Sequence, residues 1–541
     1  MIKITTGRPP TLALRGMVAC PHSLASQAGV EILRAGGSAI DAAIATSATL
    51  AVIYPHMTSI GGDAFWLIYD AQADAVRHLN GGGKAARTAS VKWFADRGLS
   101  EIPYRGAIAG TLTVPGAVAS WCEAHRIYGK LPLKRCLDAA IDYAEHGFPI
   151  TERLAHWIKL AGEDLQRSPE AAAIFLAAGP QPKPGAILKN PDLTRTLRAL
   201  AANGAAGFYE GEVADEFARF ASANGGFFDR EDLRNHDAEW SAPISGTYRD
   251  VTIFETPAPT QGFTVLQMLK LLEPFELSRR PFLGPDHVHL MVQAKQLAYH
   301  DRDRWLADPK FADVPIEHLL SDRYVAGRRK LINLDRAIPW DRVPSSGSLA
   351  GDTVYIAVVD QEGNAASLVQ SLYWGFGSAV VAGRTGVVLQ NRAAYFSLDP
   401  ASPNKVEPGK IPLHTLIASL AFRGGKLWGV IGGMGADGQP QIHLQAYVSL
   451  VDYGCNIQEA LEAPRFLSGR FVLGEARDTL HIEARFPAQT IAELARRGHP
   501  IDRWGDWNEL AGHAHGIVIA PEGSVRAGGA DPRSDGAALG Y

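Results

Sequence analysis

A threonine that follows a small, polar segment and opens an apolar run is the first residue with chemical potential. Residues 345–352 (SSGSLAGD) have the composition of a flexible loop, and Thr353–Val359 (TVYIAVV) predicts a buried strand. If the chain were cut before Thr353, that residue would carry both a hydroxyl and a free α-amine. Because an α-amine has a pKa of about 8, it can accept the hydroxyl proton near neutral pH. Strand propensity alone also explains a threonine here, and on local grounds this simpler interpretation is favoured.

A glycine-rich segment is the second candidate. Gly433-Met-Gly435-Ala-Asp-Gly438 has GxGxxG spacing between a predicted strand and a predicted helix. A dinucleotide site also needs a second strand that ends in an acid about 20 residues later. That distance falls in a helical segment, residues 456–463, so the dinucleotide interpretation is disfavoured. The segment still offers backbone N–H groups at a helix N-terminus, which can hold an anion or an oxyanion.

Two histidine pairs raise the question of a metal site. His287-Val-His289 lies in a predicted helix, where side chains two residues apart point away from each other and cannot face one ion. His513-Ala-His515 would share one face of a strand. Neither pair has a third ligand at an informative spacing. We therefore predict no metal and no cofactor, and we expect these histidines to be satisfied by local hydrogen bonds.

Composition limits the class of protein. With 541 residues, 46 % of them apolar and 20 % charged, the chain is typical of a globular protein and unlike a disordered or collagen-like one. The net charge of −4 provides no positive field, so we expect no nucleic-acid or membrane partner. Four scattered cysteines predict reduced thiols. The first residues lack an apolar signal region, and residues 39–55 are too short to span a membrane, so a cytoplasmic protein is expected.

The predicted elements mix helices and strands without regular βαβ alternation, which favours an α+β fold of layered sheets. Apolar periodicity and capping residues, with Asp286 as the cap of the longest helix, predict helices over Leu24–Arg34, Ala39–Val52, His287–Trp305, Ile442–Asp452 and Ile457–Ala463. Apolar runs bounded by turn residues predict strands over Ala64–Tyr69, Thr353–Val359, Ala366–Leu372, Gly386–Leu389, Leu427–Ile431, Gly516–Ala520 and Ser524–Ala527.

From about Leu14 to Tyr541 the sequence resembles the γ-glutamyltranspeptidase family of N-terminal-nucleophile hydrolases. Six segments carry the resemblance in the family's order. They are Ala25–Ala43, Ala298–Phe311 (AYHDRDRWLADPKF), Asp352–Asn364 (DTVYIAVVDQEGN), Phe376–Gly386, Pro408–Leu413 (PGKIPL) and Gly528–Pro532 (GGADP). Because of this match, we favour the interpretation of Thr353 as a nucleophile over the one based on strand propensity alone.

The resemblance implies a four-layer αββα sandwich of the N-terminal-nucleophile hydrolase type. It also implies a precursor that cuts itself between Asp352 and Thr353. The products would be a large segment, 1–352, and a small segment, 353–541, which together form one unit. Whether such pairs dimerise is left open.

The resemblance further assigns catalytic roles. Thr353 stands at the family's nucleophile, and Ser371 replaces a threonine whose hydroxyl supports that nucleophile. Gly435 and Ala436 align with a glycine pair whose backbone N–H groups hold the oxyanion. Alanine at the second position keeps the N–H donor but restricts the backbone.

The substrate-binding positions depart from the family pattern. Gly82 stands where the family has an arginine for the α-carboxylate, and Tyr395 stands where it has an acid for the α-ammonium. Tyr373 replaces an asparagine that contacts the donor, and His414 and Thr415 replace a serine pair. Each lost charge-assisted contact is worth about 1.5–3 kcal/mol, so glutathione is a disfavoured substrate.

Arg392 lies beside these positions and can hold a substrate carboxylate through two parallel hydrogen bonds, although a structurally paired arginine is an equal alternative. The segment Ser397–Pro408 is shorter than the lid loop of glutathione-cleaving members. These features resemble the branch with oxamate amidohydrolase and the cephalosporin acylases. We expect a self-processing amidohydrolase acting on a small carboxylate-bearing amide such as oxamate. The alternatives are a γ-glutamyl hydrolase or transferase acting on glutathione, a cephalosporin or glutaryl acylase, and a non-catalytic relative of the same fold.

Overall fold

Two seven-stranded antiparallel sheets face each other, and helices cover both outer faces. The structure is a computed structural model that describes residues 7–344, 351–470 and 476–541. Over these ranges the chain is the α+β, four-layer αββα sandwich that the sequence predicted. Most of the segment predicted as a flexible loop, residues 345–350, lies outside the described residues.

In chain order, the strands are β1 (Thr11–Ala13), β2 (Met17–Cys20), β3 (Asp63–Asp70), β4 (Ala75–Gly81), β5 (Phe148–Pro149), β6 (Ile187–Leu188), β7 (Glu239–Ser241), β8 (Ile244–Tyr248), β9 (Val251–Glu255), β10 (Asp352–Val359), β11 (Ala365–Tyr373), β12 (Ser419–Arg423), β13 (Lys426–Gly433), β14 (Phe466–Ser468), β15 (Leu480–Glu483), β16 (Ile501–Trp504), β17 (Ala514–Ile519), β18 (Arg526–Ala530) and β19 (Ala537–Gly540). One large sheet has the order β1-β18-β17-β13-β12-β9-β8, and the other β19-β2-β10-β11-β3-β4-β7.

The helices are α1 (Ser23–Arg34), α2 (Ala39–Ile53), α3 (Val91–Ala95), α4 (Ala107–Thr111), α5 (Ala117–Tyr128), α6 (Leu133–His146), α7 (Glu152–Leu160), α8 (Gly162–Gln166), α9 (Pro169–Phe175), α10 (Pro191–Asn203), α11 (Ala206–Tyr209), α12 (Gly211–Ala223), α13 (Arg230–Arg234), α14 (Gly262–Leu272), α15 (Pro285–Trp305), α16 (Ile316–Leu319), α17 (Asp322–Arg329), α18 (Gln439–Val451), α19 (Ile457–Glu462) and α20 (Ala488–Arg496). Within the described ranges, none of these helices combines the length and apolarity needed to cross a membrane.

The central strand β10 is buried on both faces, which explains why its sequence is a continuous apolar run. Tyr355, Ala357 and Val359 pack between the two sheets. Val354 and Ile356 point the other way, into the layer built around α2. Because side chains alternate along a strand, residue 353 belongs to the inter-sheet side at the end of this strand.

Each large sheet contains strands from both sides of the Asp352–Thr353 junction. The hairpin of β10 and β11 lies between β2 and β3, which come from the first part of the chain. In the facing sheet, β9 pairs with β12 and β1 pairs with β18. A cut before Thr353 would therefore leave two pieces that share both sheets.

Two sequence predictions need correction. The helix α15 begins at Pro285 with Gly284 as its cap, not with Asp286, because proline fits the first helical turn, where no N–H donor is needed. The carboxylate of Asp286 instead pairs with Arg497 at 2.7 Å. The strand predicted over Gly386–Leu389 is wrong, since a short helical turn precedes it and Gly386 has a φ of +69°, so only isolated bridges form.

A buried ion network fixes the C-terminal segment against the helices. Arg533 is fully buried, and its guanidinium contacts Glu483 at 2.5 Å and Asp531 at 3.0 Å. Asp531 also pairs with Arg465 at 2.8 Å. Removing one member of such a network leaves an uncompensated buried charge.

We expect Arg533→Met to lower the free energy of unfolding by about 3–5 kcal/mol. Urea denaturation followed by tryptophan fluorescence measures this loss. Arg496→Met is the matched control, because Arg496 forms an exposed ion pair with Glu493 and its loss should cost less than about 1 kcal/mol. Equal effects of the two substitutions would show that the network does not stabilise the fold.

Candidate active site

The strand pairing beside Thr353 is irregular. The pairing of β10 with β11 shifts register between Asp352 and Val354, so β11 contributes an extra residue there. Bulges of this kind often occur beside active sites, because they redirect a side chain. Thr353 is almost fully buried, and its hydroxyl donates to Ser371 Oγ at 3.1 Å.

Ser371 is a hub of hydrogen bonds. Besides the bond from Thr353, its hydroxyl accepts from the backbone N–H of Tyr373 at 2.7 Å and from Arg392 Nη2 at 3.4 Å. The Ser371 hydroxyl itself donates to the carbonyl oxygen of Asp352. The same side chain therefore touches the hydroxyl of residue 353 and the carbonyl that precedes it.

The backbone is strained two residues after Ser371. Tyr373, a buried non-glycine residue, has a φ of +83°, a conformation that side chains rarely adopt and that often marks functional sites. The side chain of Asp352 is buried near this turn. Burial and the nearby Glu509 carboxylate hold the pKa of Asp352 well above its ordinary value, and Arg105 offsets part of that shift.

The glycine-rich segment approaches the junction from the facing sheet. Gly435 has a φ of +154° and Ala436 a φ of +45°, just before helix α18. The first residue of that helix, Gln439, donates to Thr353 Oγ1 at 3.5 Å. A Cβ atom on Gly351 would lie 2.5 Å from the Cβ of Ala436, so the chain before the junction rests on this loop.

Two buried side chains and one half-buried side chain fix the glycine-rich loop. Gln261 donates to the carbonyl oxygen of Ala436 at 3.0 Å, Arg302 pairs with the carboxylate of Asp437, and Tyr395 donates to the same carboxylate. Sequence reasoning missed Gln261 and Asp437. Arg302 lies in the quoted segment Ala298–Phe311, but its partner could not be read from the sequence.

Arg392 is fully buried between two tyrosine rings. Its guanidinium carbon lies 4.7 Å from the ring centre of Tyr373 and 5.6 Å from that of Tyr395. It donates to Thr415 Oγ1 at 2.9 Å and to Ser371, while its Nε has no hydrogen-bond partner among the described residues. Within the same residues no carboxylate comes within ion-pair distance of Arg392. Burial lowers its pKa, yet an arginine stays protonated in proteins.

The acid with the strongest influence on Arg392 is Asp63, which was not predicted as a site residue. Its carboxylate binds His414 Nε2 at 3.0 Å, Gln390 at 2.8 Å and the backbone N–H of Gly83 at 2.8 Å. Burial raises the pKa of Asp63 to about 7, although the Arg392 charge acts in the opposite direction. The signal that could have identified Asp63 was its position directly before the apolar run predicted as a strand, where a charged residue is unusual.

The structure brings most predicted site residues together. Thr353, Ser371 and Arg392 form a connected chain, to which Thr415 and Tyr373 are joined. Two side chains that were predicted to bind the substrate are instead hydrogen-bonded to other side chains of the protein. The His414 ring is committed to Asp63, and the Tyr395 hydroxyl to Asp437. Gly82 lies in the turn after β4, where a Cβ would meet the Phe65 ring at 3.0 Å, and it offers no charge.

The histidine pairs behave differently. His287 accepts from the backbone N–H of Leu283, while His289 contacts His499 at 2.7 Å, so their rings have separate partners. His513 and His515 share one side, as predicted, with 3.3 Å between ring nitrogens. The expectation that local hydrogen bonds satisfy these histidines holds only in part. One buried ring nitrogen of each of His287, His513 and His515 has no hydrogen-bond partner among the described residues.

One group in the described ranges has the spacing of metal ligands, namely Asp41, His125 and Cys136. The Asp41 carboxylate already accepts from the backbone N–H groups of Lys130 and Leu131 at 2.9 and 3.1 Å. His125 contacts the carbonyl oxygen of Leu131 at 2.8 Å. These bonds join α2 and α5 to the loop at residues 130–131, so this group has a structural role.

Two facing sheets between helical layers are the architecture of the N-terminal-nucleophile hydrolases. The family model for gamma-glutamyltranspeptidase matches residues 25–541. The chain belongs to the γ-glutamyltranspeptidase family.

Relatives of differing activity match almost the whole chain. It is 40 % identical over 529 residues to the glutathione hydrolase-like YwrD proenzyme of Bacillus subtilis, covering 98 % of this chain and 99 % of that protein. It is 39 % identical over 536 residues to the oxamate amidohydrolase proenzyme of Klebsiella pneumoniae, with the same coverage. The crystal structure of cephalosporin acylase from Bacillus halodurans superposes with a TM-score of 0.90 at 35 % identity, covering 100 % of this chain and 98 % of that one.

We expect Asp63→Asn to gain stability relative to the parent as the pH rises from 5 to 7. The pKa of Asp63 is raised from 3.8 to about 7, so the unfolded chain releases this proton well before the folded chain does. Its contribution to stability is therefore complete below pH 4 and is lost as the pH rises toward 7, by at most about 1.4 kcal/mol per pH unit. Asparagine does not titrate.

Urea denaturation at several pH values measures this difference. Asp399→Asn, at an exposed position, is the control and should parallel the parent at every pH. Parallel curves for Asp63→Asn would show that Asp63 is ionised throughout this range.

Proposed function

We propose that the protein is a self-processing amidohydrolase that cleaves small amides bearing a carboxylate, with oxamate as the model substrate. The buried guanidinium of Arg392, uncompensated by any described carboxylate at ion-pair distance and joined to Thr353 through Ser371, carries the proposal. A cation in this position is stabilised when an anionic substrate arrives.

Self-cleavage starts from contacts already in place. The Thr353 hydroxyl attacks the carbonyl carbon of Asp352, whose oxygen is polarised by the Ser371 hydroxyl. The C–N bond breaks, an ester forms at Thr353 Oγ, and the hydroxyl proton ends on the new amine. Water then cleaves the ester and releases Thr353 with its free α-amine and hydroxyl.

Turnover repeats this chemistry on a substrate amide. The α-amine of Thr353 takes the hydroxyl proton as Oγ attacks the amide carbonyl and later gives it to the leaving amine. The backbone N–H groups of Gly435 and Ala436 stabilise the oxyanion. Ser371 holds the hydroxyl, and water releases the acyl group from the ester.

The spacing of Arg392 and Thr353 favours a short acyl group. Arg392 Nη2 and Thr353 Oγ1 are each within 3.4 Å of Ser371 Oγ, so the carboxylate and the attacked carbonyl of a substrate must lie close together. Oxamate joins these two groups directly. The relationship to the Klebsiella pneumoniae oxamate enzyme supports this choice.

A γ-glutamyl substrate is the second candidate, favoured by the relationship to YwrD. Its α-ammonium needs an acid, but Tyr395 stands at that position with its hydroxyl bound to Asp437. The loss of the family's arginine at Gly82 removes the matching contact for the α-carboxylate. Turnover of a γ-glutamyl anilide at rates similar to oxamate would favour this alternative.

We expect the purified protein to consist of two chains, the second beginning with the sequence TVYIA, and Thr353→Ala to remain one chain. Denaturing electrophoresis and N-terminal sequencing measure this. Thr385→Ala, another buried threonine, is the control and should be processed normally. An active protein that stays uncut would contradict the mechanism.

We expect Arg392→Gln to lower kcat/KM for oxamate by about 10- to 100-fold, the loss of a charge-assisted contact. Ammonia release measures the rate. Oxamide, in which a neutral amide replaces the carboxylate, is the matched substrate and should lose much less. Arg392→Lys, which keeps the charge, should fall between. Equal losses on both substrates would show that Arg392 only positions Ser371.

A further inference from the structure

Four buried histidines, a buried tyrosine and a half-buried aspartate from separate parts of the chain form a group that the proposed turnover does not use. We call it the histidine cluster: His22, Tyr54, His56, His513, His515 and Asp535. The ring centre of Tyr54 lies 5.9 Å from that of His22, 4.2 Å from that of His56 and 6.5 Å from that of His513. His22 and Asp535 are joined by an isolated β-bridge.

Every member of the histidine cluster has at least one buried polar atom without a hydrogen-bond partner in the described residues. His56 has two, Nδ1 and Nε2, and the Tyr54 hydroxyl is also unpartnered. Buried polar groups in proteins are normally satisfied, and an unsatisfied one indicates a bound water, an ion or a catalytic role. So many in one place indicate a site for a small polar ligand.

The ligand that fits is water. Among the described residues, no three of these side chains have their ligand atoms close enough together to hold a metal ion. Burial lowers the pKa of His22 to about 4 and that of His515 to about 3, and it holds the pKa of His56 and His513 well below the ordinary value. A neutral imidazole has one donor and one acceptor, so it can bind water and pass on a proton.

The cluster reaches the proposed cleavage junction from one side of β10. The His56 ring stacks on Trp157 at 6.1 Å, and the carbonyl of His56 accepts from the backbone N–H of Phe376 at 3.0 Å. At Gly375, a Cβ atom would meet both the Trp157 ring at 2.7 Å and Asp352 Oδ2 at 2.9 Å. His56 and the Asp352 side chain therefore flank the same tryptophan.

It also reaches the glycine-rich loop. The carbonyl of His513 accepts from the backbone N–H of Met434 at 2.7 Å, immediately before Gly435. Strand β2, which leads to His22, pairs with the strand that begins at the junction. The cluster thus approaches the reaction centre past the Asp352 side chain, whereas Arg392 reaches it through Ser371.

We propose that the histidine cluster binds the water that hydrolyses the ester formed between Asp352 and Thr353 during self-cleavage, with His56 accepting the water proton. This inference rests on the proposed self-cleavage. The water oxygen bonds to the carbonyl carbon of Asp352, and the bond from that carbon to Thr353 Oγ breaks. One water proton passes through His56 to Thr353 Oγ, and the new α-carboxyl of Asp352 releases the other.

The test separates the two steps of cleavage with hydroxylamine, which attacks esters far faster than amides. The substitution His56→Phe keeps an aromatic side chain but removes both ring nitrogens. The ester should still form, but its hydrolysis should slow by at least about tenfold. Added hydroxylamine should then release both fragments as fast as the wild type cleaves, leaving a hydroxamate at residue 352. Electrophoresis over time and mass spectrometry measure both results.

Two variants keep this test decisive. His236→Phe is the matched control: His236 is also buried with both ring nitrogens unpartnered, but it packs against Tyr209, away from the cluster, and should cleave normally. Tyr54→Phe removes only one hydroxyl, so it should fold and show a smaller delay with the same rescue.

Cleavage of His56→Phe at the wild-type rate, or a delay that hydroxylamine does not relieve, overturns the inference. If the wild-type chain itself is never cut before Thr353, the proposed function fails instead. The two failures are distinct, because the second is seen in the unaltered protein.

Discussion

The hydroxyl of Ser371 is the contact on which the candidate site depends. It accepts from Thr353, from the backbone of Tyr373 and from Arg392, and it donates to the carbonyl of Asp352. A hydroxyl has one proton and two lone pairs, so the proton is fully used and three donors share the two lone pairs. Moving any partner changes the geometry of the others, which ties the proposed nucleophile, the proposed cleavage junction and Arg392 to one atom.

Much of the fold could be predicted from the sequence, because its elements follow local patterns. The apolar run after residue 352 and the turn at residues 360–364 predicted the hairpin of β10 and β11, and the structure confirms it. The strand predicted over residues 386–389 failed because a positive φ at Gly386, a property of its surroundings, interrupts an otherwise suitable apolar run.

The site was less accessible to sequence reasoning, because its partners are distant in the chain. Asp63 and His414 are far apart in sequence and meet only when β3 lies beside the loop before β12. The histidine pair at 513 and 515 was visible, but its environment was not, since His22 and His56 come from the other end of the chain. Family resemblance pointed to the candidate reacting residues, whereas the ionisation of Asp63 and the unpartnered histidine nitrogens could be seen only in the structure.

Two buried arginines in this site differ in whether a carboxylate of the protein neutralises their charge. Arg302 is paired with Asp437, and that pair holds the glycine-rich loop. Arg392 is equally buried, but it has only hydroxyl partners and tyrosine faces within reach among the described residues. A buried ion pair removed from water satisfies both charges, whereas a lone buried cation is costly until an anion joins it. The fold tolerates that cost next to Thr353, where a carboxylate-bearing substrate would relieve it.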